Sequence, residues 1–258
     1  MALRIGIIGI TGRMGQLLAR EVAAVGAILV GGTIRPGSAA QSGITILADA
    51  DALFAASDAV IDFSHAHAAS THAAAAARAQ KAFILGSSGL STAEEAAVAE
   101  AAQHAPIVYA ANFAPGVNIM FAIAERMAAA LPPEQYDAEI VEMHHRQKVD
   151  APSGTAIGLG RAVARGRGTT LEAAGRESGR DGHNGARGTG TIGFAALRGG
   201  QVVGEHTLIF AAGSEHITLG HRSFDRASYA VGAVRAAHWA AAQPAAGLYD
   251  MKDVLGIG

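Results

Sequence analysis

The chain has 258 residues, half of them hydrophobic and 16% charged, which excludes a disordered polymer and allows one large domain or two modest ones. With 22 acidic against 20 basic residues the net charge is −2, so no general positive field draws it to nucleic acid or anionic lipid, and small polar ligands are the better expectation. The absence of cysteine excludes a disulfide framework, a thiolate zinc site and a cysteine nucleophile.

The apolar run Leu3–Ile8 is cut off by Gly9 and Gly12, so it predicts a first strand rather than a signal peptide. A helix over Arg13–Val25 and a strand over Ala27–Thr33 follow. Further strands are predicted at Ala59–Phe63, Ala82–Leu85 and Ile107–Ala111, with helices near Ser64–Gln80 and Thr92–His104 between them. This alternation predicts βαβ units around a doubly wound, Rossmann-like parallel sheet. The uncharged stretch from Ala101 to Ala124 is broken by Pro106, Asn112, Pro115 and Asn118, which a membrane span would have to bury in hydrocarbon. The expectation is a soluble, cytoplasmic protein.

From Pro115 the pattern changes. A helix to about Leu131 leads to a strand at Tyr136–Met143, and a second helix follows Pro152-Ser153-Gly154. The Gly/Arg-rich stretch Gly166–Gly190 has no hydrophobic periodicity and reads as a long mobile loop. Strands at Thr191–Leu197, Gln201–Ala211 and Glu215–Leu219, joined by short turns, predict an antiparallel meander. A last apolar helix, Arg226–Ala242, is expected to pack back on the first domain. The expected division is therefore residues 1–114 with 226–258 as a dinucleotide-binding domain. Residues 115–225 form a smaller α+β domain with a mixed, largely antiparallel sheet, for substrate and assembly.

Gly9-Ile10-Thr11-Gly12-Arg13-Met14-Gly15 stands at a strand-to-helix junction, where missing side chains let a pyrophosphate approach the amides of a helix N-terminus. The spacing GxxGxxG is less specific than GxGxxG, and a structural tight turn is the bland alternative. NAD-preferring folds place an acid about 20 residues on, but between Glu21 and Asp49 the only charged residue is Arg35, in Thr33-Ile34-Arg35-Pro36-Gly37. A guanidinium there can clasp a 2′-phosphate, which predicts NADPH in preference to NADH; a solvated loop arginine is the alternative.

A second constellation, Glu142-Met-His144-His145-Arg146-Gln-Lys148-Val-Asp150-Ala-Pro152-Ser153-Gly154-Thr155, leaves a strand and enters a helix. It combines imidazoles and an ammonium for charge and proton transfer with hydroxyls and amides at a helix start, a set that suits a dianionic substrate. Ser153 or Thr155 could equally serve only as a helix cap, and a histidine pair can be plain surface.

This segment matches E-x-H-H-x-x-K-x-D-x-P-S-G-T without a gap, and the chain resembles the dihydrodipicolinate reductase family over nearly its whole length. Gly86-Ser87-Ser88-Gly89, Ala111-Asn112-Phe113, Gly190-Thr-Ile-Gly193, Gly204-Glu205-His206-Thr207 and Gly247–Leu255 match as well. The resemblance implies NAD(P)H-dependent reduction of the imine derived from 4-hydroxy-tetrahydrodipicolinate, a small dicarboxylate, in the diaminopimelate route to lysine. It implies His144 as acid/base residue and Lys148 as proton donor, with His145, Lys148, Ser153, Gly154 and Thr155 on the substrate carboxylates. The cofactor would lie on Gly9, Ile10, Thr11, Gly12, Arg13, Met14 and Arg35, on Gly86, Ser87 and Ser88, and on Ala110, Ala111, Asn112 and Phe113, with no metal. A homotetramer through the second domain is also implied.

Two departures stand out. The family's frequent acid after the second strand is Ile34 here, and its usual Gly-Thr-Thr-Gly is Gly86-Ser87-Ser88-Gly89. Closure about hinges near Phe113–Gly116 and Phe224–Arg226 is expected of such a chain. The Arg180–Arg187 loop is a candidate cover for the substrate, with a plain solvated loop as the alternative. Three rival readings remain. A metal hydrolase is suggested by His65, His67, His72 and the His144–His145 pair but lacks the H-E-x-x-H pattern; a non-catalytic NAD(P) sensor needs no His/Lys cluster; a related imine reductase lacks the signature around Lys148.

Overall fold

The computed structural model describes residues 1–35, 37, 38 and 43–257; Pro36, in the Arg35 loop, and Gly258, the last residue of the expected first domain, lie outside the described residues. The chain divides into two compact units, Met1–Pro115 with Arg226–Gly258, and Gly116–Asp225. In chain order the first unit begins β1 (Arg4–Ile8), α1 (Arg13–Ala24), β2 (Ile28–Thr33), α2 (Ala50–Ala56), β3 (Ala59–Asp62), a single 3-10 turn (Ala66–Ala68), α3 (Ala69–Ala79), β4 (Ala82–Leu85), α4 (Thr92–Ala101) and β5 (Pro106–Tyr109). At the unit boundary starts α5 (Pro115–Ala130), and then come β6 (Asp137–His144), α6 (Gly154–Gly166), α7 (Leu171–Ala174), β7 (Arg176–Ser178), β8 (Ile192–Arg198), β9 (Gly204–Ala211) and β10 (His216–Ser223). The chain then returns to the first unit with α8 (Ala227–Ala241), β11 (Gly247–Tyr249) and α9 (Met251–Leu255).

The first unit is a six-stranded sheet in the order β11-β5-β4-β3-β1-β2, with every neighbouring pair parallel. Its strands are apolar on both faces, as a sheet covered on both sides requires. Ile5, Ile7, Ile61, Ile84 and Val108 pack with α1 and α8. One residue out of phase, Ile8, Val60, Phe83, Leu85 and Ile107 pack with α2, α3 and α4. Because β1 lies between β2 and β3, the chain leaves it to wind in both directions. The carboxyl ends of the strands at such a switch point form the ligand-binding crevice of this architecture.

The second unit is a five-stranded mixed sheet, β10-β9-β6-β8-β7, with one face covered by α5 and α6. Its last three long strands do not form the expected meander. β9 and β10 make an antiparallel hairpin, but β8 is separated from β9 by β6, to which β8 is parallel and β9 antiparallel. Short turns placed these strands in sequence; burial of the Ala138, Ile140, Leu208 and Phe210 side chains against α6 chose β6 as the centre. The stretch read as a featureless loop also carries structure. It holds α7, capped by Thr170, and β7, which adds to the sheet edge beside β8.

Helix α2 escaped the sequence reading although Asp49 caps it through the Ala52 amide at 2.8 Å. Helix α3 starts at Ala69 rather than Ser64, because the 3-10 turn intervenes. Helix α8 lies against α1, β3, β4 and β5, and its close approach depends on a missing side chain. A Cβ at Gly232 would overlap the Phe113 carbonyl oxygen. An ordinary Gly→Ala change in a helix interior stabilises by about 1 kcal/mol. Gly232→Ala is instead expected to destabilise by about 1–3 kcal/mol in urea unfolding, through overpacking against rigid backbone.

Candidate active site

At the crevice of the first unit, Gly9 has φ +71°, a conformation that side chains disfavour, and a Cβ at Gly15 would overlap the Gly9 and Ile10 carbonyl oxygens. Gly12, the N-cap of α1, provides no side-chain cap, and the first turn of α1 carries no acid. The amide dipoles there are open to a phosphate. Ile10 is fully buried in the core, so only its backbone can face a ligand, and the same holds for Phe113, packed edge-on against Phe63. The hydroxyls of Ser64 and Ser87 are buried without hydrogen-bond partners at the ends of β3 and β4. A glycine cradle, an uncapped helix start and two orphaned hydroxyls fit a dinucleotide.

All the residues expected to hold the cofactor, Gly9 to Met14, Arg35, Gly86 to Ser88 and Ala110 to Phe113, follow the carboxyl ends of β1, β2, β4 and β5 on this edge. Arg35 is exposed just beyond β2, where its Nη2 meets His65 Nε2 at 2.8 Å.

In the second unit, β6 alternates strictly, with Ala138, Ile140, Glu142 and His144 on the buried face. On its neighbour β9 the buried face carries Gly204, His206, Leu208 and Phe210, and Glu142 is the register partner of His206. The face is thus apolar at one end and ionisable at the other, where α6 begins. Glu142, 1% exposed, receives both guanidinium nitrogens of Arg198 at 2.8 Å, His144 Nδ1 at 2.6 Å and the Ser153 amide at 3.1 Å. Burial pushes its carboxyl pKa up, but the bonds from Arg198, His144 and Ser153 together outweigh burial and hold it below the usual range.

An ionised carboxylate only accepts, so the His144 proton sits on Nδ1 and Nε2 is left as the working nitrogen. A Cβ at Gly204 would come within 3.0 Å of that Nε2, so glycine keeps it accessible. Burial lowers the His144 pKa, opposed by Glu142 and reinforced by the charges of Lys148 and Arg198.

Ser153 caps α6, its Oγ accepting the Ala156 amide at 3.2 Å and meeting His206 Nε2 at 3.0 Å. Gly154 is the first residue of α6, and a Cβ there would meet open space. Lys148 Nζ donates to both oxygens of Asp150, at 2.8 and 2.9 Å, and this ammonium holds the Asp150 carboxyl low. His145 has a buried Nδ1 without a partner. The fold therefore gathers His144, His145, Lys148, Ser153, Gly154 and Thr155 about one end of β6 and the start of α6.

The sequence reading gave no role to Glu142, Arg198 or His206. Of these, Glu142 and His206 lay inside quoted motifs, but nothing in the local sequence marked which face of β6 or β9 packs on α6. Arg187, the last residue of the Arg180–Arg187 segment, does not come to this end. Arg187 is bound to Glu139 at 2.7 Å and Asp137 at 2.8 Å, and to the carbonyls of Ala138 and Thr191. From Glu139 to His144 is roughly 17 Å of strand. The sheet's opposite end, rich in acids, captured this arginine.

A doubly wound parallel domain with a glycine cradle, joined to an α+β domain with an acid/base cluster, defines an NAD(P)-dependent oxidoreductase. Family models described as the N-terminus and C-terminus of dihydrodipicolinate reductase match residues 3–113 and 116–255, so the chain belongs to the dihydrodipicolinate reductase family. It is 62% identical to a 4-hydroxy-tetrahydrodipicolinate reductase of Granulibacter bethesdensis, over 99% of this chain and 98% of that one. It is 43% identical to the protein of the same name from Thiobacillus denitrificans, over the whole of both. Among solved structures, a dipicolinate-bound dihydrodipicolinate reductase from Paenisporosarcina sp. TG-14 shares the fold at TM-score 0.79 and 24% identity, covering 97% of this chain and 98% of that one. Among the described residues no helix is long and apolar enough to cross a membrane.

His206 lends the site a measurable pH signature. Burial, reinforced by the His144 charge, lowers its pKa from 6.5 to about 4, so it is neutral in the folded protein. The unfolded chain takes up this proton as pH falls below about 6.5 and the folded one does not until about 4. Stability is therefore lost across that window, by roughly 3 kcal/mol. Urea unfolding at pH 7 and pH 4 should show His206→Gln losing less than the wild type by most of that amount.

Proposed function

We propose that the chain reduces 4-hydroxy-tetrahydrodipicolinate, with loss of water, to tetrahydrodipicolinate in the diaminopimelate route to lysine, using NADPH in preference to NADH. The names of its relatives support this reaction. The observation that carries it is the Glu142-held His144 beside Lys148 at the start of α6, in the segment that bears the family signature. A bound reduced nicotinamide supplies the hydride; the chain's own residues bind the dianion and move the protons.

One substrate carboxylate is assigned to the first amides of α6, at Gly154 and Thr155, where the helix dipole favours an anion. Dipicolinate in the Paenisporosarcina relative has the same pair of carboxylates. His145 and Lys148 provide the positive edge. Hydride addition to a conjugated imine leaves an electron-rich enamine, and this carbon needs a proton. Lys148 turns from Asp150 to deliver it. His144 exchanges protons through Nε2, and Glu142 stabilises the imidazolium while it lasts. The Ser153 hydroxyl is committed to the Ala156 amide and His206, so it positions the helix start rather than reaching out.

The 2′-phosphate is assigned to Arg35, since Ile34 stands where an acid would exclude it. A homotetramer through the second unit is part of the same reading, supported by the family and by Val141, Met143 and Ile209, which point away from the α6 face. A cytoplasmic location belongs to it too.

Lys148→Ala is expected to lower kcat about 10²–10⁴-fold while leaving NADPH affinity, followed by nucleotide fluorescence, within about twofold. Normal turnover by this variant would refute its role. For the cofactor, Arg35→Ala should lower the ratio of kcat/KM for NADPH to that for NADH by at least about tenfold, the loss of one charge-assisted phosphate contact. An unchanged ratio would remove Arg35 from the phosphate.

A further inference from the structure

The histidines that the sequence suggested as metal ligands, His65 and His67, gather no third ligand. Among the described residues no group of three His, Cys, Asp or Glu side chains is arranged so that it could hold a metal ion. Their rings instead stack, with centroids 5.4 Å apart and planes 12° apart. His65 lies three residues beyond β3 and Arg35 two beyond β2, and these strands flank β1 at the switch point.

A guanidinium has donors only, so in the Arg35–His65 contact the imidazole Nε2 accepts and carries no proton. His65 is thus neutral while it holds Arg35. Both side chains are exposed, and the contact fixes a long, flexible arginine beside the nucleotide crevice before any ligand arrives.

We propose that His65 is a positioning residue for Arg35 and a proton-linked part of the 2′-phosphate site, so that NADPH binds together with a proton while NADH does not. The inference rests on the assignment of Arg35 to that phosphate. When Arg35 turns its N–H groups to a phosphate dianion, His65 Nε2 loses its donor. It is left with a lone pair beside negative charge, a cost that protonation converts into a second charge-assisted bond. Imidazole is the side chain that makes this exchange near neutral pH.

His67 stacks on the His65 ring, and Glu94 of α4 acts electrostatically on His67. Asp62 and His72, at the end of β3 and on α3, are engaged with each other at 2.7 Å. Arg35 remains its direct hydrogen-bond partner.

Titration calorimetry of the full-length protein with NADPH and with NADH, in buffers of different ionisation enthalpy, reads proton uptake directly. The wild type is expected to take up more protons with NADPH than with NADH. Its NADPH to NADH affinity ratio should fall severalfold, toward tenfold, between about pH 7 and 8.5, where the 2′-phosphate itself stays a dianion. His65→Asn keeps an acceptor for Arg35 but cannot titrate, so the excess uptake and the pH slope should vanish while NADPH stays preferred. Equal uptake for the two nucleotides in the wild type, or an undiminished excess in His65→Asn, would overturn the proposal. If NADPH is preferred, and Arg35→Ala abolishes that preference, such a result defeats His65 alone. If Arg35→Ala leaves the preference untouched, the phosphate assignment fails and this inference fails with it.

Discussion

A carboxylate buried to 1% exposure cannot persist without partners, and Glu142 has four hydrogen bonds from three of them. Each partner belongs to a different part of the second unit: Arg198 ends β8, His144 ends β6, and the Ser153 amide starts α6. The charge therefore works as a tie between strand ends and helix start. It also decides the chemistry, because it dictates which nitrogen of His144 is protonated and turns the other toward Gly204. Removing the charge would loosen the site's geometry and unsettle its proton at once.

The first unit solves a different problem, that of bringing backbone amides against a polyanion. It does so by absence of side chains. Gly9 takes a left-handed turn, Gly15 lies against carbonyl oxygens, and α1 starts with neither a capping side chain nor an acid. The hydroxyls of Ser64 and Ser87, buried and unsatisfied, add a polar cost that only a ligand or water can relieve. A rigid, apolar sheet beneath makes these placements stable, with alternate residues of each strand fixed into two separate cores.

The same sheet logic explains where the polar residues of the second unit came to lie. Arg187 and Arg198 sit at opposite ends of the sheet, and each was captured by the acids at its own end, Asp137 with Glu139 and Glu142. One pair is a clamp for a loop and the other is the heart of the acid/base cluster. No feature of either arginine's local sequence separates these fates.

What the sequence determined by itself was local or periodic. The βαβ alternation, the glycine cradle after β1, the missing acid at Ile34 and the run from Glu142 to Thr155 need no more than neighbouring residues to be read. So do most element boundaries. The tertiary structure alone decided which face of β6 is buried. Asp137-Ala138-Glu139-Ile140-Val141-Glu142-Met143-His144 has two apolar and two ionisable side chains on either face, so alternation is silent and only packing against α6 selects Glu142 and His144. It also decided that β6 separates β8 from β9, that Arg198 meets Glu142 across 56 residues, and that His65 holds Arg35 across 30. Pairings over such spans depend on strand order and burial, which are properties of the whole folded unit and leave no mark on any short stretch of chain.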